Sequence, residues 1–396
     1  MQNQHHDLII LAGGKGTRIA KYQINNPKPL IKIGKTSVLE KILYQFCKYQ
    51  FRKIFIIVGF KANKIINKFH KKYINFNEII CLKEKKPMGT AGFINSNLKK
   101  FTNSFYVVNA DSFCDFDFDN FKKIKLNKKI GKIILVKNTT YKENSKLSNL
   151  GLNNQKIVVN SKNKKLMNAG IYFLTKKCFA KTKGKEILSL ETEIILPLIG
   201  KKQILGYKSD NVFIDIGTPK NLKKSNIFFK KNFYKPAIFL DRDGTINEDI
   251  GYLHEFKKFK LKKNIINLLK YFTKKKYYIF IITNQAGIAK KKFSLGQFFK
   301  FQIKFKNFFS KHKIYFDEVM YCPYHKNAKL KKYKKNSLFR KPGNLMVESI
   351  LKRWNVNVKK SFFIGDTKKD LLCARKSNIK FFYYSKDLHK IIKYYT

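Results

Sequence analysis

The chain is poor in the residues that would tie it to an oxidising compartment or a membrane. Of 396 residues only six are cysteine, at 47, 81, 114, 178, 322 and 373, and no two are spaced as Cys-x-x-Cys. That spacing excludes a dense disulfide framework and makes reduced thiols the expectation. No apolar run approaches the ~18 residues that a membrane span needs. Residues 1–7, MQNQHHD, lack the basic-then-apolar layout of a secretion signal. A cytoplasmic protein with no membrane partner is expected.

Acidic residues are scarce as well, 25 against 85 Lys and Arg, which leaves a formal net charge of +60. A field of that size attracts polyanions. Arginine, however, is the side chain suited to bidentate base and phosphate contacts, and it occurs only six times, while lysine is spread through both halves. Lys, Asn, Ile, Phe and Tyr are abundant together, as AT-rich coding produces. The charge reads as a solvated surface with weak, salt-sensitive attraction to polyanions, and no dedicated nucleic-acid partner is expected.

What the sequence does contain is an alternation of short apolar runs and longer helical patterns. Residues 7–12, 53–59, 104–109, 131–136 and 169–174 read as buried strands, as do 237–240, 277–283, 316–321 and 361–364. Helical patterns at 37–48, 295–310 and 344–354 fall among them. The length suits two domains. Both are expected to be α/β, doubly wound and Rossmann-like, with parallel sheets and sites at strand carboxyl ends. The charged stretch KKNFYK at 230–235 marks the join, giving domains at 1–232 and 236–396.

The first half opens with LAGGKGTRI. Gly13, Gly14 and Gly16 follow a strand directly, where missing side chains let backbone N–H groups close around phosphate oxygens. Thr17 and Arg18 come next, and NPKPL then holds Lys28 between two stiffening prolines. VVNAD ends a strand at Asp111 and FIDIG another at Asp215; two carboxylates at strand ends can hold one Mg²⁺ against a nucleoside triphosphate. A P-loop reading of GKT at 34–36 fails, because its first glycine would have to be Pro29.

These motifs, with PMGTAG at 87–92, NAG at 168–170 and DIGTP at 215–219, resemble the sugar-phosphate nucleotidyltransferase family of the mannose-1-phosphate guanylyltransferase kind, over about residues 7–222. The resemblance implies a nucleotidyltransferase fold. It implies that Gly13, Gly14, Gly16 and Thr17 bind nucleotide, that Arg18 holds the leaving pyrophosphate and that Lys28 holds the reacting phosphates. Gly89 and Thr90 would lie against the base, Asn168, Gly170 and Glu191 would meet the sugar, and Asp111 with Asp215 would bind Mg²⁺. Ala110 departs from the family, which usually has glycine before the aspartate.

In the second half, FLDRDGTI places Asp241 and Asp243 two residues apart at a strand end, where both can face one ion. Beside Mg²⁺ an aspartate can attack phosphorus while its neighbour protonates the leaving alcohol. IFIITNQAGIA ends a strand at Thr283, a phosphoryl-binding hydroxyl; RKPG supplies Lys341 to balance charge; FIGDTKKD supplies Asp366 as a further metal ligand, with Asp370 in the next helix. This set resembles the haloacid dehalogenase superfamily of phosphatases. FLDRDGTINEDIGYLHEF and TNQAGIAKKKFS look like the heptose 1,7-bisphosphate 7-phosphatases within it, with histidinol-phosphate phosphatases next. The likeness implies a fold with minimal cap and substrate contacts at Asn284, Gln285 and Arg340, the last meeting a second phosphate.

The two likenesses together imply removal of the 7-phosphate of a heptose bisphosphate and nucleotidyl transfer to its 1-phosphate. The partners are then sugar phosphates and a nucleoside triphosphate, with GTP favoured. The same chemistries on another sugar phosphate, or a nucleic-acid end phosphatase, are the alternatives. Relatives of the second half hold a structural zinc in the loop before RKP. Here CPYH keeps Cys322 but shifts its histidine to His325, and Ser337 and Phe339 replace the later cysteines. Two ligands cannot close a tetrahedral site, and packing of Tyr321, Tyr324 and Phe339 is expected to hold the loop. Metal analysis of the purified protein is expected to find no stoichiometric zinc; one zinc per chain would refute this.

Overall fold

The computed structural model describes residues 6–22, 26–137, 147, 149–159, 166–384 and 391. The chain forms two compact units, Met1–Leu43 with Phe51–Asn232, and Tyr44–Gln50 with Phe233–Thr396.

The first unit is built on a ten-stranded sheet. From one edge to the other its order is Leu150–Asn153, Lys156–Val159, Ile204–Ser209, Gly131–Lys137, Leu166–Thr175, Ser104–Asn109, Asp7–Ala12, Ile54–Val58, Asn77–Lys83 and Lys72–Ile74. The central strands are apolar on both faces, IFIIV at Ile54–Val58 being wholly buried, as a sheet covered on both sides requires. The expectation of a parallel sheet is corrected here. Leu166–Thr175 runs antiparallel to both of its neighbours, Ser104–Asn109 and Gly131–Lys137. An apolar run buried on both faces has the same pattern in either direction, so its residues carry no sign of polarity. The reversed strand breaks register between Asn168 and Tyr172, and a bulge of this kind re-aims side chains. Gly170 takes φ +73° within it, and a Cβ there would lie 2.8 Å from Asn109 Nδ2. Only glycine fits that position.

The second unit has a five-stranded, all-parallel sheet in the order Glu318–Cys322, Tyr278–Asn284, Ala237–Leu240, Phe362–Gly365, Lys380–Tyr383. Ala237–Leu240 is therefore central, and the residues that leave its carboxyl end emerge between Thr283 on one side and Asp366 on the other. Helix Leu295–Lys311 starts at a capping box, in which Ser294 Oγ accepts from Gln297 N and the Gln297 side chain accepts from Ser294 N. It buries Phe298, Phe301, Phe305 and Phe309, one face at helical spacing.

One buried charge anchors the first strand of the first unit. Asp7 is fully buried and accepts from Arg52 Nε at 2.8 Å, Arg52 Nη2 at 2.7 Å and Thr102 N at 2.9 Å. Removing the guanidinium strands a carboxylate away from water. Arg52→Met is expected to lower the stability of this unit by about 2 kcal/mol, read as a transition several degrees lower by calorimetry.

Candidate active sites

The first unit encloses a cavity of about 870 Å³ on the carboxyl side of its central strands. Its lining joins stretches that lie far apart in sequence, among them Leu11–Arg18, Lys28 with Pro29, Ile57 with Gly59 and Phe60, Lys83–Thr90, and Asn109–Asp111. Gly13, Gly14, Gly16, Thr17, Arg18, Lys28, Gly89, Thr90 and Asp111 all face it. Lys28 is buried, and its ammonium is paired with Asp111 Oδ2 at 2.5 Å. Asp215 reaches the same region by pairing: Phe213–Asp215 is antiparallel to Ser112–Cys114 with Asp215 opposite Ser112, and Ile216 N donates to Asp111 O at 2.9 Å. Gly217 marks where the groups meet. A side chain there would come within 2.9 Å of Asp215 Oδ1 and 3.2 Å of Arg18 Nη2. Thr90 turns its hydroxyl elsewhere, accepting from Leu190 N at 2.7 Å.

Asn168, Gly170 and Glu191 come together beyond the lining of that cavity. Asn168 Nδ2 donates to Glu191 Oε1 at 3.0 Å, and Gly170 N donates to Asn168 Oδ1 at 3.0 Å. Tyr172, fully buried, completes the group by donating to Glu191 Oε1 at 3.2 Å. Burial first, and then the Glu191 carboxylate, holds the Tyr172 phenol far above its ordinary range, so it stays a donor. Sequence reasoning missed Tyr172. The only signal was its place two residues after NAG on a strand, which alternation alone would have put on the same face as Gly170.

In the second unit Asp241, Asp366 and Asp370 bring one carboxylate oxygen each within 4.8 Å of one another. Lys341 is buried beside them, its ammonium 2.6 Å from Asp241 Oδ1 and 2.5 Å from Asp370 Oδ1. Three carboxylates against one ammonium leave negative charge in excess. Burial, opposed by Lys341 and reinforced by Asp370, pushes the Asp241 carboxyl up to about 7, and burial with Asp370 raises Asp366. An all-oxygen cluster with surplus negative charge fits a hard divalent cation. Gly244 permits the arrangement: its φ is +84°, and a side chain there would collide with Asp366 Oδ2.

Several expected roles are redistributed. The Asp243 carboxylate is outside the acidic cluster, and Asp370 takes the third place. Three side chains hold Asp243: it accepts from Arg242 Nε at 3.0 Å and Nη2 at 2.8 Å, from Asn247 Nδ2 at 3.0 Å and from Gln285 Nε2 at 3.1 Å. Arg242 is itself fully buried, 4.9 Å over the Phe301 ring. Gln285 also donates to Thr283 Oγ1 at 2.9 Å, so it organises two site residues rather than pointing free. Asn284 exchanges hydrogen bonds with the backbone of Lys341, Nδ2 to O at 3.1 Å and N to Oδ1 at 3.0 Å, and thereby sets the lysine's position. Arg340 is half-buried, with Nη1 enclosed and unpartnered among the described residues. In the loop before it, Tyr324 and Phe339 pack on the unit's core and Tyr321 lies 4.8 Å from Phe298. Cys322 Sγ is directed to Tyr324 O, Ser337 Oγ accepts from Phe339 N, and His325 Nδ1 accepts from Asn327 N.

Comparison with known proteins divides the chain at the same place. Residues 8–232 match the family described as nucleotidyl transferase, and residues 238–383 match polynucleotide kinase 3 phosphatase. The D-glycero-beta-D-manno-heptose-1,7-bisphosphate 7-phosphatase of Haemophilus influenzae is 35% identical over 144 residues, covering 36% of this chain and 78% of its own length. That of Escherichia coli K12 is 32% identical over 144 residues, covering 36% and 75%. Among solved structures, HddC from Yersinia pseudotuberculosis is 25% identical with a TM-score of 0.47, over 57% of this chain and 99% of its own. The chain is thus a two-unit enzyme, a transferase and a phosphatase, that belongs through residues 8–232 to the nucleotidyl transferase family and through its second unit to the family of the heptose-bisphosphate 7-phosphatases.

Proposed function

We propose that the protein catalyses two consecutive steps in the cytoplasm. The second unit removes the 7-phosphate of D-glycero-D-manno-heptose 1,7-bisphosphate. The first then joins the resulting heptose 1-phosphate to a nucleotidyl group, GMP from GTP, and releases pyrophosphate. The observation that carries this reading is the acidic cluster around Asp241 with its single lysine, in a unit 35% identical to a phosphatase of that bisphosphate.

In the phosphatase step an Asp241 carboxylate oxygen attacks phosphorus, and the bond from phosphorus to the sugar oxygen breaks. Asp243, held by Arg242, Asn247 and Gln285, protonates the departing alkoxide. It then takes a proton from the water that hydrolyses the aspartyl-phosphate, and inorganic phosphate leaves. Lys341 and the Thr283 hydroxyl hold the phosphoryl oxygens, and Arg340 takes the second phosphate. Asp241, Asp366 and Asp370 would hold Mg²⁺, which supplies charge neutralisation when bound.

In the transfer step an oxygen of the sugar 1-phosphate attacks the α-phosphorus, and the bond to the bridging oxygen of the β-phosphate breaks. The glycine-rich loop, Arg18 and Lys28 position the triphosphate and neutralise its charge, so no protein nucleophile is required. Asp111 and Asp215 would hold the second Mg²⁺. Asn168 and Glu191 meet the sugar hydroxyls.

Asp241→Asn is expected to cut phosphate release at least about 10³-fold and leave nucleotidyl transfer unchanged, while Lys28→Ala should cut transfer about 10²-fold and leave phosphate release unchanged. Both are read by incubating each variant with GTP, Mg²⁺ and the sugar phosphates and identifying products by mass. Loss of both steps in either folded variant would count against separate sites. The match to polynucleotide 3′-phosphatases favours a second reading, hydrolysis of a nucleic-acid 3′-phosphate. On the heptose reading, a 3′-phosphorylated oligonucleotide should be hydrolysed with a kcat/KM at least about 10²-fold below that of the bisphosphate.

A further inference from the structure

Thr90 lines the cavity of the first unit beside Gly89, yet its hydroxyl is committed to the stretch of chain that carries Glu191: it accepts from Leu190 N at 2.7 Å. Leu190 is buried and opens helix Leu190–Ile195. That helix has a cap of its own in Ser189, whose Oγ accepts from Thr192 N at 3.2 Å. A cap residue reaches the second or third amide of a helix and leaves the first to find its acceptor elsewhere. Thr90 supplies that acceptor from a position 100 residues earlier in the chain.

The same two stretches meet along their backbones. Ala91 N donates to Leu188 O at 2.9 Å, and Leu188 N donates to Met88 O at 3.1 Å. Two glycines admit the approach: a side chain at Gly89, whose φ is +69°, would collide with Leu188 O, and one at Gly92 with Glu186 O. Asn95 Nδ2 adds bonds to Thr182 O at 2.7 Å and to Lys185 O at 3.0 Å.

Glu191 is therefore held from two directions. Asn168 Nδ2 and the Tyr172 hydroxyl fix its carboxylate at 3.0 and 3.2 Å, while Thr90 fixes the residue immediately before it. Without the hydroxyl, the amide of a buried residue would lose its acceptor, and the first turn would have to shift to recover one. Glu191 would move with that turn, and a carboxylate that meets sugar hydroxyls tolerates little displacement. A hydroxyl spent on the base would govern nucleotide affinity; one spent on Leu190 N governs the sugar.

We propose that Thr90 is a positioning residue of the nucleotidyl-transfer site, which holds Leu190 N and thereby Glu191 in place for the sugar 1-phosphate. This rests on the nucleotidyl-transfer reading above, with Glu191 at the sugar hydroxyls.

The test uses the full-length protein and Thr90→Val, Thr90→Ser and Glu191→Gln. Pyrophosphate release is measured with GTP, Mg²⁺ and D-glycero-D-manno-heptose 1-phosphate, and the Kd for GTP is measured at equilibrium. Thr90→Val keeps the shape of threonine and removes the acceptor, so the KM for the sugar 1-phosphate is expected to rise about tenfold while the Kd for GTP stays within about twofold. The unchanged Kd also reports that the first unit is folded. Thr90→Ser restores the hydroxyl and should bring the sugar KM back to within about twofold of the unaltered protein. A weaker Kd for GTP in Thr90→Val, or an unchanged sugar KM, would overturn the inference alone, and so would a Thr90→Ser variant as impaired as Thr90→Val. An unchanged sugar KM in Glu191→Gln would overturn the place of Glu191 at the sugar and this inference with it. Absence of pyrophosphate release from the unaltered protein would overturn the nucleotidyl-transfer reading itself.

Discussion

Three carboxylates sharing one ammonium set the terms on which the second unit works. Asp241, Asp366 and Asp370 converge at the carboxyl edge of a parallel sheet, and Lys341 neutralises only one of them. Burial raises the Asp241 carboxyl to about 7, against the pull of Lys341 and with the push of Asp370. A phosphate ester brings negative charge of its own, so it meets a site that already has too much. A divalent cation held by these carboxylates would relieve the conflict. The surrounding polar groups serve that arrangement: Asn284 fixes the lysine through its backbone, while Gln285 and Arg242 hold Asp243 clear of the cluster. In the proposed mechanism this leaves Asp243 to exchange protons outside the cluster.

The first unit solves the opposite problem. Its cavity is lined by Lys15, Arg18, Lys28 and Lys83 with glycine backbone between, so it offers positive charge to a triphosphate. Lys28 is paired with Asp111. The contrast follows from the chemistry. A displacement between two phosphorylated substrates needs charge neutralised and atoms aligned, but no nucleophile from the protein. Hydrolysis through an aspartyl-phosphate needs a carboxylate that is both buried and reactive.

Much of this was legible in the sequence, because both sites are assembled at strand ends. LAGGKGTRI, VVNAD, FLDRDG and FIGD each join an apolar strand to a polar turn, so the motif and its structural setting are read together. What was not legible depended on pairing across the sheet. The antiparallel course of Leu166–Thr175 leaves no mark on a strand apolar on both faces. Strand Asn77–Lys83 alternates buried and half-buried positions and lacks the continuous apolar run that marked its neighbours. Asp370 was noted only as a residue of the following helix. Its place in the cluster depends on the first turn of Lys368–Lys376, where Thr367 and Asp370 form a capping box that fixes the carboxylate. Tyr172 belongs to no motif; its burial and its partners alone identify it.

The large positive charge is informative only once burial divides it. Among the described residues four lysines are buried, Lys28, Lys132, Lys306 and Lys341, and their partners separate structure from function. Lys132 donates to the carbonyls of Phe121, Lys122 and Ile124, satisfying the end of helix Phe118–Lys123, and burial lowers it to about 8. Carbonyls accept such bonds permanently, and no substrate can replace them without unravelling the helix. Lys28 and Lys341 instead end on carboxylates at the mouths of sites, where an arriving phosphate offers the same charge and the same acceptor geometry. A buried ammonium is stable there only while some anion faces it. Exchange of carboxylate for phosphate would keep that condition satisfied, which suits these two lysines, among so many, to the phosphate chemistry proposed.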